Sequence, residues 1–486
     1  MPPQCKNPLC RLLASVALAL CCTRAVAVGL PKVIRYELKL HVVPSEERMP
    51  AEVQMTIKNC TVAPVLQIPF LLNPLLSVEM VSDEHHALLD YRQAVVSMAE
   101  ENKWRVNSVS VTLHRAVLQG HTTMIAIRYK GAVRGYEEVM AYVHDHIGRH
   151  YTLLRPDALV YPMLAKASVQ SYTEAYDSRF TYKQQIAVPN GFTVASGGSP
   201  QATSNKGALL TFRFSSRVPT WRMDIAIARF KVVKNRLGNL IVYSLSRDRT
   251  RAEILIKEMQ RVVTFYSSRF GMTKRANAYT VIEIPDGWGS QASDFYILQE
   301  SGAFNDPNRI HELYHEIAHS WNATAKPRVQ ATRWFDEGFA SYFEALAIRQ
   351  FKGQKAFDAR MAEYRRRFLD AVASDSKNGN TPIAEYGTAA LGDDSYTKGA
   401  WALFVLNEFV GDETFDRLIE TFLAAYADKA ADFEDFKAIA ESISKLDLSL
   451  FFEDWIFGTY SSELLQNERS VADIVHRYAA ARVPTS

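Results

Sequence analysis

Residues 311–319 read HELYHEIAH, and this short stretch carries the pattern H-E-x-x-H twice, with His315 shared. One copy is His311-Glu312-Leu313-Tyr314-His315; the other is His315-Glu316-Ile317-Ala318-His319. Two histidines four apart on a helix lie about 6 Å apart along the axis on one face, so both rings can reach one zinc ion, which takes imidazole nitrogen at about 2.0–2.1 Å. Three at i, i+4 and i+8 span about 12 Å and cannot share an ion. One outer histidine is therefore a bystander.

The flanks predict a helix. Asp306-Pro307 supplies a cap followed by proline at the first helical position. Ile310, Leu313, Tyr314, Ile317, Ala318 and Trp321 then fall on one apolar face, with the histidines and glutamates opposite. A third zinc ligand has to come from elsewhere, and a glutamate at the start of the next helix is the usual provider. Trp334-Phe335-Asp336-Glu337-Gly338-Phe339-Ala340-Ser341-Tyr342-Phe343-Glu344 reads as such a helix.

HEIAHSW followed by DEGFASYFE resembles the zinc site of the gluzincin aminopeptidases, the group of aminopeptidase N and leukotriene hydrolase. Seventeen residues separate His319 from Glu337, one short of the family's spacing, against twenty-one from His315. Trp321 matches the family's aromatic two residues past the second histidine, where the other register would place Ile317. The resemblance thus implies His315, His319 and Glu337 as ligands of one Zn2+ ion and Glu316 as general base. The missing residue is expected in the connection NATAKPRVQAT, where Pro327 signals irregular chain. Asp336 stands where the family usually has Asn. Glu344, seven residues past Glu337, is expected either to orient a ligand histidine or to form a surface salt bridge. His311 is left to line the cleft or simply to be solvated.

Asp394-Ser395-Tyr396-Thr397-Lys398-Gly399-Ala400 resembles the family's Tyr-x-Lys-Gly-Ala segment. The resemblance makes Tyr396 the donor to the oxygen that gains charge during hydrolysis. The departure is at the substrate's amino end. Where the family carries Gly-x-Met-Glu-Asn, this chain reads Asp286-Gly287-Trp288-Gly289-Ser290-Gln291-Ala292-Ser293-Asp294, which puts Ala292 or Ser290 in place of the amine-binding glutamate. Asp286, Asp294 or Glu300 could substitute, so exopeptidase and endopeptidase action both stay open.

Fold class follows from patterning. From about Val33 to Val233, segments such as YELKLHVV, AEVQMTIKN, VSVTLHRAV, HTTMIAIRYKG and QQIAVP alternate between turn signals and read as strands. After Arg247 the character turns helical, as in AEILIKEMQRVVTFYSSRFG and GAWALFVLNEFVG. The expectation is a multidomain α+β protein, an N-terminal all-β domain (28–235) followed by a thermolysin-like, mostly helical catalytic domain (236–410). A short helical segment (411–486) completes it, without the large C-terminal helical domain of many relatives, so the cleft is expected to be open or differently covered.

With 48% apolar and 22% charged residues the chain is of globular type. A net charge of +3, from 56 Lys plus Arg against 53 Asp plus Glu, gives no reason to expect nucleic acid or anionic lipid as partner. Lys6 and Arg11, the apolar run Leu12–Cys22 and Ala25-Val26-Ala27 have the order of a secretory signal, 1–27, with too short a core to span a bilayer. The expected product is secreted or periplasmic, with no stable membrane insertion once the signal is removed. Cleavage after Ala27 would leave Cys60 alone of five cysteines, expected to be buried and inert. Asn59-Cys60-Thr61 and Asn322-Ala323-Thr324 match the glycosylation sequon. His144-Asp145-His146 with His150 has metal-like composition but no evident fourth ligand, and reads as polar strand or loop.

These readings converge on an exported zinc metallopeptidase acting on peptides. Two alternatives stand beside it: an epoxide or other hydrolase using the same zinc constellation, and a catalytically silent peptide-binding protein.

Overall fold

The alternating segments of the first half form strands in the computed structural model, which describes residues 29–478 apart from 177, 202, 217, 246–248, 274–277, 294 and 468–469. The expected leader, 1–27, and Asp294 lie outside the described residues. Among the described residues, contacts divide the chain into two units, one of residues 29–256 with Ala278–Asn305 and one of Lys257–Asn277 with 306–478. The architecture is the expected N-terminal β region followed by a helical region.

In the first unit, Lys32–His41 pairs antiparallel with Met49–Lys58, which in turn pairs with Thr122–Gly131. On its other edge Lys32–His41 runs parallel to Thr181–Pro189. Period-two burial sends Tyr36, Leu38 and Leu40 from one strand and Val53, Met55 and Ile57 from the next into the core. A second sheet of Lys231–Lys234, Leu240–Ser244, Tyr279–Ile284, Tyr296–Glu300 and Gln291–Ala292 lies across the expected boundary at 235/236 and returns after the helix Thr250–Phe270. Its strands escaped pattern reading for a physical reason. All six residues of YTVIEI (279–284) are buried, so the strand has no alternation and reads like a buried helix segment.

A fully buried ionic network ties this unit together. Arg155 pairs with Asp145, and Arg222 with Asp157 and Asp224, every side chain being 0% or 1% exposed. Both guanidiniums also donate to Gln291 Oε1, at 3.1 and 2.8 Å. Such charges persist in a core only because each is hydrogen-bonded to its counter-ion.

In the second unit the central helix, Phe339–Lys352, is buried on every side from Phe339 to Ile348, and Gly353 ends it at φ +87°. Ile310–Ala318 packs on it through Leu313, Tyr314 and Ile317, at 0%, 2% and 0% exposure. The Tyr266 hydroxyl donates to Tyr314 O at 3.0 Å and Trp321 Nε1 donates to Gly271 O at 2.9 Å. These contacts leave the opposite face of the helix for chemistry.

Candidate active site

The helix that bears HELYHEIAH starts as the sequence suggests, with one refinement. Asp306 caps a 3-10 turn, Pro307–Arg309, accepting from Asn308 N at 2.8 Å, and the α-helix proper is Ile310–Ala318, tightening to 3-10 over His319–Trp321. Its two histidines do not act alone. The Nε2 atoms of His315 and His319 lie 3.1 and 3.6 Å from Glu337 Oε2. A nitrogen from each and a carboxylate oxygen lie within 4.8 Å of one another, and among the described residues no other group of three His, Cys, Asp or Glu does so. His311 is outside the cluster, its Nδ1 lying 3.0 Å from Asn308 O in the turn before.

Glu337 reaches this position through an irregular connection. After Trp321 the chain is extended, then forms a four-residue helix, Pro327–Gln330, where the sequence suggested none; proline suits its first position because its fixed φ is already helical. Arg333 then adopts φ +60° and starts a π-helical turn, Trp334–Gly338, that leads into Phe339–Lys352. Gly338 and Gly399 allow close approach to the Trp334 indole: a Cβ on either would stand 2.7 or 2.8 Å from its Cδ1. That packing brings the Glu337 turn against the 3-10 turn Gly392–Tyr396.

The far ring nitrogens face carboxylates. His315 Nδ1 is 3.4 Å from Glu344 Oε2, and Glu344, 1% exposed, is held by Tyr364 and Arg360 at 2.9 Å each. Burial therefore excludes the surface salt-bridge reading of Glu344. His319 Nδ1 is 2.8 Å from Asp336 Oδ1, which also accepts from Asn322 Nδ2. A carboxylate behind each imidazole fixes its orientation and raises its basicity as a ligand. The site's charges act together: burial would lower the His315 pKa, but Glu337 and Glu344 push it up to about 10. Burial would raise Glu337, but His319 and Arg333 hold it well below the usual carboxylate range. Glu316 is pushed up, chiefly by desolvation.

This donor set fits zinc: two imidazole nitrogens and one carboxylate oxygen, one donor short of the four that zinc usually takes. The electrostatics fit as well. The carboxylates of Glu316, Glu337, Glu344 and Asp336 outnumber the guanidiniums of Arg333 and Arg360, which also pair with Asp393 and Glu363, so the site carries an excess of negative charge that suits a cation.

Tyr396 lies over the site with its ring stacked on His315, centroids 5.6 Å apart at 16°. Its hydroxyl accepts from Arg333 Nη2 at 3.2 Å. Desolvation, then the Glu337 charge, raises its pKa well above the ordinary phenol value, so it keeps its proton. Sequence reading missed Arg333 and the Asp336 contact. The one available signal for Arg333 was its position four residues before Glu337, a spacing that puts two side chains on one helical face.

The segment replacing the amine-binding motif lies in the other unit. Gly289 N donates to Glu300 Oε1 at 2.6 Å, and Gly302 N donates to Asp286 Oδ1 at 2.5 Å. Both substitute carboxylates are thus engaged with backbone amides, while Ser290 Oγ accepts from Glu300 N at 3.0 Å.

Other expectations resolve as follows. Cys60 is exposed, not buried: the alternation that buries Met55, Ile57, Asn59 and Thr61 runs on past the strand end at Lys58 and leaves Cys60 on the outer face. Asn59 is buried, and its amide donates to Ala63 O and Val117 O at 2.8 Å each, so its side chain is committed to the fold. His144 and His146 pack against the Trp288 ring at 5.9 and 5.1 Å, and Asp145 belongs to Arg155, so this cluster gathers no metal-binding set.

Comparison with known proteins agrees with this geometry. Residues 297–455 match the peptidase family M1 domain. The chain is 25% identical over 303 residues to a probable aminopeptidase 2 of Sulfurisphaera tokodaii, an alignment covering 58% of this chain and 38% of that protein. It is 24% identical over 320 residues to human glutamyl aminopeptidase, covering 60% and 33%. It thus spans about a third of the length of these relatives. Its fold is similar to that of an M1 zinc metallopeptidase from Deinococcus radiodurans solved with a Tyr-Ser-Ala substrate, with a TM-score of 0.63 at 18% identity over 88% of this chain and 94% of that one. A structure described as a two-domain M1 zinc metallopeptidase, bound to L-arginine, gives a TM-score of 0.59 at 18% identity over 92% and 96%. Over residues 297–455 the chain thus matches the peptidase family M1 domain, and its HEIAH helix with the following glutamate is similar to the zinc site of the gluzincin aminopeptidases, the group of aminopeptidase N.

Proposed function

We propose that this protein is an exported zinc metallopeptidase that hydrolyses peptide bonds. The observation that carries the reading is the convergence of His315, His319 and Glu337, with Glu316 and Tyr396 beside them. One zinc ion would be held by those three side chains. When bound, zinc supplies Lewis acidity, polarising a carbonyl and making water nucleophilic near neutral pH.

The chain's own residues do the rest. Glu316, one residue past His315 and with its pKa raised by desolvation, takes the proton of the attacking water and returns it to the departing amine. Tyr396 keeps its proton and donates it as a hydrogen bond to the carbonyl oxygen while negative charge develops there. Glu344 and Asp336 hold the two imidazoles in orientation.

Export rests on the sequence of residues 1–27. Among the described residues no helix is long and apolar enough to cross a membrane. Ser290 and Ala292 stand uncharged where the resemblance puts the amine-binding glutamate, so exopeptidase and endopeptidase action both stay open. Hydrolysis of a peptide and of its N-acetylated form, before and after chelation and zinc restoration, tests both parts. Zinc-dependent cleavage supports the peptidase, and equal cleavage of the two forms removes aminopeptidase specificity. Peptide cleavage that persists without metal contradicts the reading.

A further inference from the structure

Arg333 holds a backbone conformation that arginine rarely adopts, φ +60°, one residue before the π-helical turn that carries Glu337. Residues fixed in such sparsely populated regions cluster where geometry serves a site. Here the conformation folds the guanidinium back over its own turn. Nη2 donates to Glu337 Oε1 and, at 3.2 Å, to the Tyr396 hydroxyl; Nη1 donates to Asp393 Oδ1 at 2.8 Å. The guanidinium carbon also lies 5.3 Å from the centre of the Tyr396 ring. Space for the stem is provided by Gly392, where a Cβ would stand 3.0 Å from Arg333 Cδ and 3.2 Å from Cγ.

Resting on the peptidase reading above, we propose that Arg333 is a positioning residue that couples the metal ligand Glu337 to the oxyanion donor Tyr396. Two constraints follow from the hydrogen-bond chemistry. A carboxylate has two oxygens, and the one engaged by Arg333 is Oε1, which leaves Oε2 facing both histidine Nε2 atoms. A phenol has one proton; when its oxygen accepts from Arg333, that proton must point elsewhere. The Glu337 and Glu316 carboxylates both act on the hydroxyl, and Glu337 is a hydrogen-bond partner, so the proton is drawn toward the site's carboxylates. A planar fork reaching three partners does this, whereas an ammonium on a flexible stem does not.

The test uses Arg333→Gly, which tolerates the positive φ, and Arg333→Lys, which keeps the charge. Zinc affinity, measured by chelator competition, is expected to weaken about 10–100-fold in Arg333→Gly, as for other partners behind a ligand, with partial recovery in Arg333→Lys. With zinc saturating and its occupancy verified, kcat for a peptide is expected to fall about 100-fold with KM changed less than about threefold. In a Tyr396→Phe background the same substitution should cost less than about threefold further, because both changes remove one shared function. Unchanged zinc affinity, multiplying kcat losses in the double variant, a rise in KM alone, or full recovery by lysine would each overturn the proposal. A wild-type protein that binds zinc but cleaves no peptide would refute the peptidase reading instead, and the chelator competition would still decide the role of Arg333 at the metal.

Discussion

His319 turns its Nδ1 onto Asp336 Oδ1 at 2.8 Å, so the residue next to Glu337 orients another member of the His315–His319–Glu337 cluster. Replacing Asp336 with alanine removes the acceptor and leaves the imidazole free to turn. Zinc affinity should fall about 10–100-fold. Asp336→Asn, which can still offer an oxygen but no charge, should fall less. Competition against a calibrated chelator reads both values.

The overlapping motif gives an asymmetric expectation. His319→Ala should lose zinc, because it removes one of three converging donors, whereas His311→Ala should retain it, since that ring lies against Asn308 O and outside the cluster. Metal content of the two purified variants decides the matter. Zinc lost from His311→Ala and kept by His319→Ala would reverse the register.

Zinc binding should release protons. In the metal-free site the His315 pKa is raised from 6.5 to about 10. Its protonated form therefore stabilises the metal-free fold, fully below pH 6.5, and that contribution is lost as pH rises through about 10. Zinc needs the neutral ring, so at pH 7–8 about one proton leaves His315 for each ion bound, and affinity should rise by up to about tenfold per pH unit over that range. Calorimetric titration in buffers of different ionisation enthalpy counts the proton; affinity independent of pH would contradict it.

Arg222 is completely buried between Asp157 and Asp224. Truncation to alanine strands two carboxylates in the core and should cost about 3–5 kcal/mol. Urea unfolding of Arg222→Ala measures this, and a loss below about 1 kcal/mol, the scale of an exposed pair, would mean the network is far better solvated than its burial indicates.

Much of this was legible in sequence because it rests on periodicity. Leu313, Tyr314, Ile317 and Trp321 mark one helix face, and Tyr36, Leu38 and Leu40 mark one strand face, since a solvated opposite side writes the period into the chain. Strands buried on both faces, such as Tyr279–Ile284, carry no such mark. At the site, residue types and spacing indicated a pair of histidines, and the resemblance to the gluzincin aminopeptidases chose His315 with His319 and added Glu337. Arg333 and Asp336 were not legible as partners, because their contacts depend on one positive φ and a π-helical turn that single-sequence patterns do not encode. The exposure of Cys60 was missed for a different reason: a free cysteine is usually buried, but the alternation through Met55, Ile57, Asn59 and Thr61 puts position 60 on the outer face.

The central claim is that Glu316 serves chemistry while His315, His319 and Glu337 hold the metal. Zinc content and peptide hydrolysis of Glu316→Gln beside wild type test it most directly. The expected result is full zinc occupancy with hydrolysis reduced at least about 100-fold, the scale of a lost general base. Unchanged hydrolysis by the zinc-loaded variant would contradict the assignment.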